Sequence, residues 1–378
     1  MTQDTATSVL VAGSGIAGCA AAILLAKAGV AVDIVESQPR EHATGSGITL
    51  QGNALRVLAQ LGVWDEVTEH GYGFDTLGIR APDDNGTLIV EMPDAKTGGP
   101  DLPATMGMER PVLAAILRDA ADLAGVKSRF STEVTAFVQD SDGVDVEFSD
   151  GSHGRYDVVI GADGVKSATR RALGIDVEPA PTGMGIWRVL CSRPASITRT
   201  DLYYGGVGYI AGYCPTGEDS MYAYIVEDAQ DRSGLSDVER LEIMRSLAEH
   251  YHGPWDDIRA LITDAARINY TWFESHLLEE PWNRGRVVLI GDAAHVCPPT
   301  LAQGGAQALE DAAVLAELLV SMPVGDELWR TFHDRRLPRA GAVVNGSLQL
   351  GQWMLDNDPA ADVPGLMGRI AALVSAPA

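Results

Sequence analysis

A glycine-rich run near the amino terminus has the residue types and spacing that bind a phosphorylated cofactor. It follows the pattern Gly-x-Gly-x-x-Gly, and its members include Gly13, Gly15, Ile16, Ala17 and Gly18. In such a run the first glycine permits a tight turn, the second lets the backbone approach a pyrophosphate, and the third lets a helix pack on a strand. Glu36 stands near the offset of about 20 residues at which an acid accepts hydrogen bonds from a ribose diol. The pattern predicts a dinucleotide site, without separating FAD from NAD.

A second acid ends an apolar run further along the chain. Asp163 and Gly164 follow the strand-like segment 156–160, and Arg170 comes shortly after them. A strand that runs into an acid–glycine turn is common in α/β proteins. The functional interpretation is a second contact to the nucleotide, with Arg170 available for phosphate charge.

A third motif lies between residues 286 and 312. Asp292 follows a strand-like segment, and its carboxylate could accept hydrogen bonds from a polyol such as ribityl. A proline-containing loop with Pro299 leads to Gly304 and Gly305, where a helix is expected to begin. A helix start offers free N–H groups and a positive dipole end, which would stabilise negative charge on a reduced flavin. His295 could act as a base, or it could pack and cap local structure.

Alternating strands and helices must position these residues. Apolar spacing predicts strands over 9–11, 30–36 and 287–290, and helices over 16–28, 53–61, 111–124 and 304–321. The segments 87–92 and 185–227 instead have the tyrosine-rich composition of an antiparallel sheet. We therefore expect an α/β (α+β) fold in which the sheet-based segment interrupts the nucleotide domain.

The tyrosine-rich segment is the expected wall of the substrate pocket. Arg188 could hold a carboxylate or an enolate, and four tyrosines could hydrogen-bond a phenol, stack on a ring or simply pack within the sheet. These tyrosines are Tyr203, Tyr213, Tyr222 and Tyr224. Arg188, Tyr213 and His295 are the candidate catalytic residues.

The three motifs, in this order, resemble those of the single-component FAD-dependent aromatic hydroxylases, the group built like p-hydroxybenzoate hydroxylase and salicylate hydroxylase. The resemblance covers roughly residues 8–340. It implies a Rossmann-like FAD-binding domain of the glutathione-reductase type, interrupted by an antiparallel-sheet substrate domain. The expected ranges are 1–75, 100–180 and 275–340 for the FAD-binding domain, 76–99 and 181–274 for the substrate domain, and 341–378 for a C-terminal helical segment.

The resemblance also implies roles for individual residues. Asp292 would contact the ribityl chain, Pro299 would lie beside the isoalloxazine, and Gly304 and Gly305 would face its pyrimidine edge. Asp163 would belong to the motif tied to the FAD pyrophosphate and the transient nicotinamide cofactor. Arg110 would reach the flavin, and Arg40 would lie near the adenosine. Ala306 stands where many relatives carry an asparagine, so one polar flavin contact is absent.

The activity implied is hydroxylation of a small phenolic or heteroaromatic compound, with NADH or NADPH and O2, through a flavin C4a-hydroperoxide. Two alternatives stay open. One is a related flavin oxygenase, such as an epoxidase or a tailoring oxygenase acting on a larger polycyclic substrate. The other is a flavin-binding protein without catalysis.

Composition excludes several other classes of partner. The 378 residues are 46% hydrophobic and 21% charged, with a formal net charge of −24 that disfavours nucleic acid and anionic lipid. No apolar run approaches the ~18–20 residues of a membrane span, and the polar first residues do not predict a secretory signal. The four cysteines lack the spacing of a metal site or a disulfide framework. We expect a cytoplasmic monomer or homodimer, with an aromatic substrate, O2 and NAD(P)H as its partners and with no metal.

Overall fold

The computed structural model describes residues 5–40 and 45–378. Its strands are β1 (Ser8–Ala12), β2 (Ala31–Glu36), β3 (Gly47–Gln51), β4 (Tyr72–Phe74), β5 (Thr76–Arg80), β6 (Leu88–Pro93), β7 (Thr105–Glu109), β8 (Lys127–Phe130), β9 (Val134–Gln139), β10 (Val144–Phe148), β11 (His153–Tyr156), β12 (Val158–Gly161), β13 (Ala180–Ser192), β14 (Thr200–Tyr204), β15 (Ile210–Pro215), β16 (Ser220–Asp228), β17 (Ile268–Leu277), β18 (Asn283–Arg284), β19 (Val287–Leu289) and β20 (His295–Val296). Its α-helices are α1 (Ile16–Lys27), α2 (Gly52–Leu61), α3 (Trp64–His70), α4 (Arg110–Leu123), α5 (Ala168–Ala172), α6 (Asp237–Ala248), α7 (Pro254–Leu261), α8 (Gly304–Ser321), α9 (Asp326–Asp356) and α10 (Val363–Ser375).

A six-stranded sheet carries the three motifs. Its order is β18-β19-β12-β1-β2-β8, and the pairs among its last five strands are parallel. The central strands β1 and β12 are apolar and buried apart from Ser8, because helices and a smaller sheet cover both faces. The chain leaves β1, β12 and β19 at the same edge of the sheet, so the acids and glycines that follow these strands meet there. The expected strands and helices of this part are confirmed, and the helix over 304–321 has the predicted bounds.

An eight-stranded sheet forms the second layer, in the order β20-β17-β13-β16-β15-β14-β5-β6. Its pairs are antiparallel except for β14 with β5. Helices α6 and α7 cover one face, and the aromatic residues of that face pack against them. The opposite face looks toward the loop after β20 and toward the small sheet β3-β7-β4. Its strands come from 76–93, 180–277 and 295–296, so the third motif itself contributes a strand to this sheet.

Two C-terminal helices complete the described molecule. The 31-residue helix α9 packs along α8 and also contacts β13 and β17. Helix α10 packs against α9 and α2. Within 5–40 and 45–378, no helix combines the length and the apolar character needed to cross a membrane.

Candidate functional site

The three glycines of the first motif have different surroundings. Gly13 has φ +107°, and a Cβ there would lie 2.4 Å from the carbonyl oxygen of Ala162. A Cβ on Gly18 would lie 2.0 Å from the carbonyl oxygen of Gly13. Gly15 is exposed, and a Cβ added to it would meet no atom within 4 Å. The fold therefore requires the outer two glycines, whereas the middle one keeps the space in front of α1 clear.

Glu36 lies beside this turn. Its Oε2 atom accepts hydrogen bonds from the Ser14 backbone N–H at 2.9 Å and from the Ser14 hydroxyl at 3.1 Å. The carboxylate is half-buried, so an oxygen can still reach a ligand that enters over Gly15. Ile16 and Ala17 begin α1, whose N-terminus faces the same space. This arrangement fits a pyrophosphate with an adjacent ribose.

Asp163 caps the start of helix α5 in this structure. Its Oδ1 atom accepts a hydrogen bond from the Ser167 hydroxyl, and its Oδ2 atom accepts one from the Thr169 N–H at 2.9 Å. Asp163 also lies directly behind Gly13, because a Cβ on Gly13 would be 3.1 Å from its Cα. Asp163 thus helps to shape the glycine-rich turn at Gly13. Arg170 is fully buried and donates to the carbonyl oxygens of Ala293 and Val165 at 3.0 and 2.9 Å, so the expectation that it meets phosphate is wrong.

Asp292 has the surroundings expected of a cofactor contact. Its side chain is exposed to solvent, although protein atoms crowd around its carboxyl group. Loss of bulk water raises the pKa of Asp292, and the positive charge of Arg110 opposes this effect. Arg110 is exposed at the start of α4, and no carboxylate within the described residues lies close enough to form an ion pair with it. Both groups are accessible and oppositely charged, and neither side chain has an ion pair or hydrogen bond with the residues in 5–40 and 45–378, which fits a bound polar ligand such as FAD.

The N-terminus of α8 is open toward the same space. The helix begins at Gly304, has no acid in its first turn and has no side-chain cap. A Cβ on Gly304 would meet only the Cys297 sulfur, at an ordinary 3.7 Å, and one on Gly305 would come within 3.2 Å of Ile48 Cδ1. Pro299 is exposed just before this helix and lines the cavity described below. The first N–H groups of α8 and its positive dipole end thus lie where two glycines leave room for a ligand.

The structure places His295 away from the open cleft. It is buried, and its Nε2 atom hydrogen-bonds Asp311 Oδ2 at 2.7 Å. Asp311 also accepts from the Gly291 N–H at 2.8 Å and from Arg336 Nε at 2.7 Å. Burial acts to raise the pKa of Asp311, but His295 and Arg336 outweigh it and hold this pKa below its usual range. The contacts favour the capping interpretation of His295 over the catalytic one.

Arg40 is also engaged by the protein. Its guanidinium forms ion pairs with Asp119 at 2.9 Å and Asp122 at 2.7 Å, both on α4. The hydrogen bond to Asp122 is the main cause that raises the pKa of Arg40. An adenosine contact through this side chain would require it to leave those acids.

A cavity lies between the open face of the eight-stranded sheet and the loop 299–302. Its lining includes Thr49, Gln51, Phe74, Leu77, Asp94, Thr105, Met184, Ile186, Arg188, Thr200, Leu202, Tyr204, Ile210, Tyr222, Tyr224, Val226, Phe273, Pro299, Thr300, Leu301, Ala302, Met354 and Met367. Arg188 is the one basic side chain among the described residues that line it, and Arg188 Nη1 donates to Thr271 Oγ1 at 2.9 Å. Burial lowers the pKa of the Arg188 guanidinium, so an anion beside it would be favoured.

Two of the expected tyrosines face this cavity beside Arg188. Tyr222 shares a 2.7 Å hydrogen bond with Thr49 Oγ1, and its ring lies 5.6 Å from that of Tyr224. Burial raises the pKa of both phenols, so both stay neutral and can donate hydrogen bonds. The structure thus brings together Arg188, Tyr222 and Tyr224, as expected from the sequence.

Tyr203 and Tyr213 lie on the other face of the sheet, which corrects the expectation that they meet substrate. The Tyr213 hydroxyl donates to Asp201 Oδ2 at 2.7 Å, and the Tyr203 hydroxyl donates to the His252 carbonyl oxygen at 3.0 Å. Successive side chains of a strand point to opposite faces, so Tyr204 faces the cavity and Tyr203 does not. Tyr213 therefore packs in the core beneath α6 and α7 instead of acting at a substrate.

Several residues that line the cavity were not predicted from the sequence. Tyr204 could have been found from strand alternation, had the register been known. Met354 and Met367 lie on α9 and α10, beyond the three motifs, and no local pattern connects them with the cavity. Thr49 and Gln51 lie on β3, which reaches the cavity through tertiary packing.

Comparisons with known proteins agree with this geometry. A family model described as "FAD binding domain" matches residues 6–347. The aurachin C monooxygenase/isomerase of Stigmatella aurantiaca is 32% identical, with 93% of this chain and 91% of that protein covered. The 6-hydroxynicotinate 3-monooxygenase of Bordetella bronchiseptica is 30% identical, with 93% and 92% covered. A crystal structure of Klebsiella pneumoniae HpxO with FAD and uric acid has a TM-score of 0.86 at 22% identity, covers 98% of this chain and 97% of that one, and shows a shared fold.

Proposed function

Because this chain belongs to the single-component FAD-dependent aromatic hydroxylase family, we propose that it hydroxylates a small aromatic or heteroaromatic ring that carries an acidic group. The chain is a flavoprotein monooxygenase with FAD as its cofactor. The observation that carries the proposal is the position of Arg188, which is the one basic side chain that the described part of the chain contributes to the cavity lining.

We assign FAD to the surface that joins the three motifs. The pyrophosphate would lie over Gly15 at the start of α1, with the ribose at Glu36. Asp292 and Arg110 would hold the chain that leads to the ring, and the ring would lie against Pro299 and the N-terminus of α8, at Gly304 and Gly305. Bound FAD would accept two electrons from NADH or NADPH and activate O2.

The residues of the chain would prepare the substrate. In the balanced reaction, the ring, O2, NAD(P)H and a proton yield the hydroxylated ring, water and NAD(P)+. Arg188 would stabilise the substrate phenolate or enolate, which raises the electron density of the ring. Neutral Tyr222 and Tyr224 would donate hydrogen bonds to the same oxygen or stack on the ring. The apolar remainder of the cavity would exclude water from the reacting atoms.

The test compares wild type with Arg188→Gln, reconstituted with FAD, on a panel of phenols and hydroxypyridines with NADH and NADPH. We expect at least one compound to speed NAD(P)H oxidation and to yield an oxygenated product. Loss of a hydrogen bond to a charged group costs about 1.5–3 kcal/mol, so Arg188→Gln is expected to lower kcat/KM by about ten- to a hundredfold.

The matched control is Arg267→Gln, since that arginine is more than half exposed and pairs with Asp264 away from the cavity lining. It should keep the wild-type rate. Fast NAD(P)H oxidation that gives only hydrogen peroxide with every compound would count against the proposal, as would an unchanged kcat/KM in Arg188→Gln.

A further inference from the structure

The register of the eight-stranded sheet orders the cavity residues along its strands. On β13, Arg188 stands opposite Tyr224 of β16, and two residues earlier Ile186 stands opposite Val226. Met184, two residues before that on the same face, stands opposite Asp228, which is exposed to solvent. At ~3.3 Å per residue, the four steps along β13 from Arg188 to Met184 span roughly 13 Å. The cavity is therefore polar at the Arg188 end and apolar toward Met184.

The neighbouring strands continue the same gradient. Ile210 of β15 stands opposite Val226, and it packs in one apolar cluster with Met184 and Phe273. Tyr204 faces Ile210 from β14. Burial raises the pKa of Tyr204, so this phenol stays neutral and the Met184 end gains no charge from it.

Methionines from the two C-terminal helices close the apolar end. A Cβ on Gly351 of α9 would lie 2.7 Å from Met184 Cε, so β13 and α9 touch there. Met354, on the next turn of α9, and Met367 of α10 both line the cavity and pack in one cluster with Leu301. Methionine is unbranched and flexible, so a wall of this kind adapts to apolar groups of different shape.

The polar groups that adjoin Leu301 are already used by the protein. Gln51 Nε2 donates to the Leu301 carbonyl oxygen at 3.0 Å, and Thr300 Oγ1 donates to the Ser347 carbonyl oxygen at 2.8 Å. A polar substituent at this end would lose its water without gaining these partners, which costs free energy. An alkyl substituent would instead gain from leaving water.

From this gradient we propose that the substrate is amphipathic, with an anionic or enolisable ring at Arg188 and an apolar substituent that ends against Met354 and Met367. The inference rests on the proposed function and adds an apolar tail to the ring of the proposed substrate. Met354 and Met367 then set the longest tail that the enzyme accepts.

Calorimetric titration of the FAD-loaded protein tests, without turnover, whether the cavity becomes apolar away from Arg188. The probes are benzoate, 4-ethylbenzoate, 4-butylbenzoate and 4-heptylbenzoate. Burial of one methylene is worth about 0.8 kcal/mol, so Kd should fall about fourfold for each carbon until the tail reaches α9, and should then level off. A Kd that does not depend on the tail, or no binding by any of the probes, would overturn the proposal.

Variants at the wall identify the residues that limit tail length. Met354→Trp and Met367→Trp should weaken 4-heptylbenzoate at least tenfold and leave benzoate within twofold. In Met354→Ala, Kd should keep falling to longer tails before it levels off. This variant makes the cavity larger, so the test can still be read if a tryptophan variant fails to fold. Met92→Trp is the matched control, because Met92 is 40% exposed on β6 and does not line the cavity. Equal weakening of both probes by the wall variants would contradict the assignment.

A turnover assay separates this inference from the proposed function. If Kd follows tail length but no ring compound is hydroxylated, the proposed function fails and the shape of the cavity stands. If a ring compound without a tail is hydroxylated and Kd does not follow tail length, the proposed function stands and the amphipathic substrate is refuted.

Discussion

Individual side chains in this protein owe their charge state to burial and to one or two neighbours. His276 on β17 is buried, and its Nε2 atom lies 3.4 Å from a guanidinium nitrogen of Arg170. Burial lowers the pKa of His276 to about 4, and the charge of Arg170 acts in the same direction. Arg170 in turn donates to the Ala293 carbonyl oxygen, beside Asp292. A neutral His276 is therefore part of what supports the loop of the third motif.

We expect His276 to make stability depend on pH between about 6.5 and 4. Its folded pKa lies below the ordinary value of about 6.5, so the unfolded chain binds a proton in this window and the folded protein does not. Stability is then complete above pH 6.5 and falls as the pH drops, by on the order of 3 kcal/mol at pH 4.

Urea unfolding at a series of pH values checks this expectation. Between pH 6.5 and 4, the free energy of unfolding of His276→Gln should vary less with pH than that of wild type, by close to the slope that the uptake of one proton produces. His153 is exposed, so His153→Gln is the control and should keep the wild-type slope. Identical slopes for wild type and His276→Gln would contradict the assignment.

At the scale of elements, helix starts and the turns before them form the cofactor surface. The N-termini of α1 and α8 both face the open cleft. Helix α1 directly follows β1, and α8 follows β19 of the same sheet after a segment that contains β20. Positive dipole ends at these positions suit the negative charges expected of FAD. Within the first turn, Gly18 serves helix packing and Gly15 leaves space for a ligand.

This division of roles predicts opposite outcomes for two alanine variants. Gly15→Ala should change the free energy of unfolding of the apoprotein by about 1 kcal/mol or less, because the new Cβ meets no atom. It should nevertheless weaken FAD binding about five- to a hundredfold through crowding of the pyrophosphate. Gly18→Ala should destabilise the apoprotein itself by about 1–3 kcal/mol or more, because the new Cβ would lie 2.0 Å from the Gly13 carbonyl oxygen.

Chemical unfolding of the apoprotein and fluorescence titration with FAD measure the two effects separately. The assignment of Gly15 to the pyrophosphate would be refuted if Gly15→Ala bound FAD as tightly as wild type does.

Across the whole molecule, buried charges connect the cofactor surface with the C-terminal helices. Arg336 of α9 is fully buried and donates to Asp311, which holds the Gly291 N–H. Arg339, one turn later, makes a two-point contact with Glu310. Glu310 also accepts a hydrogen bond from Asn53 of α2. The loop that carries Asp292 is therefore held by segments far apart in the chain.

We expect Arg336→Gln to destabilise the protein by about 3–5 kcal/mol, because it leaves Asp311 buried without its cation. FAD affinity should fall as well, since Asp311 then holds Gly291 less firmly. Arg335→Gln is the control on the same helix, because Arg335 pairs with Glu317 near the surface and should cost about 1 kcal/mol or less.

Denaturant unfolding and FAD titration of both variants provide the measurement. In a double-mutant cycle, Asp311→Asn combined with Arg336→Gln should cost less than the sum of the two single changes. Additive costs would show that Arg336 and Asp311 act independently.

The sequence by itself determined the parts of the site that are built from neighbouring residues. The turn at Gly13, the acid at Glu36, and the strand–loop–helix from 287 to 305 are local, and their spacing alone brings the glycines and acids to helix starts. The order of these motifs also predicted the FAD-binding fold, because parallel strands deliver their carboxyl ends to one edge of a sheet.

Only the tertiary structure decided which side chains meet in the cavity. A shift of one residue exchanges the two faces of a strand, so Tyr204, Tyr222 and Tyr224 face the cavity, whereas Tyr203 and Tyr213 pack beneath α6 and α7. Met354 reaches the cavity, and Arg336 reaches Asp311, through packing of α9 against elements far away in sequence. Composition and local spacing carry no record of such contacts, because they form only when the layers of the fold come together.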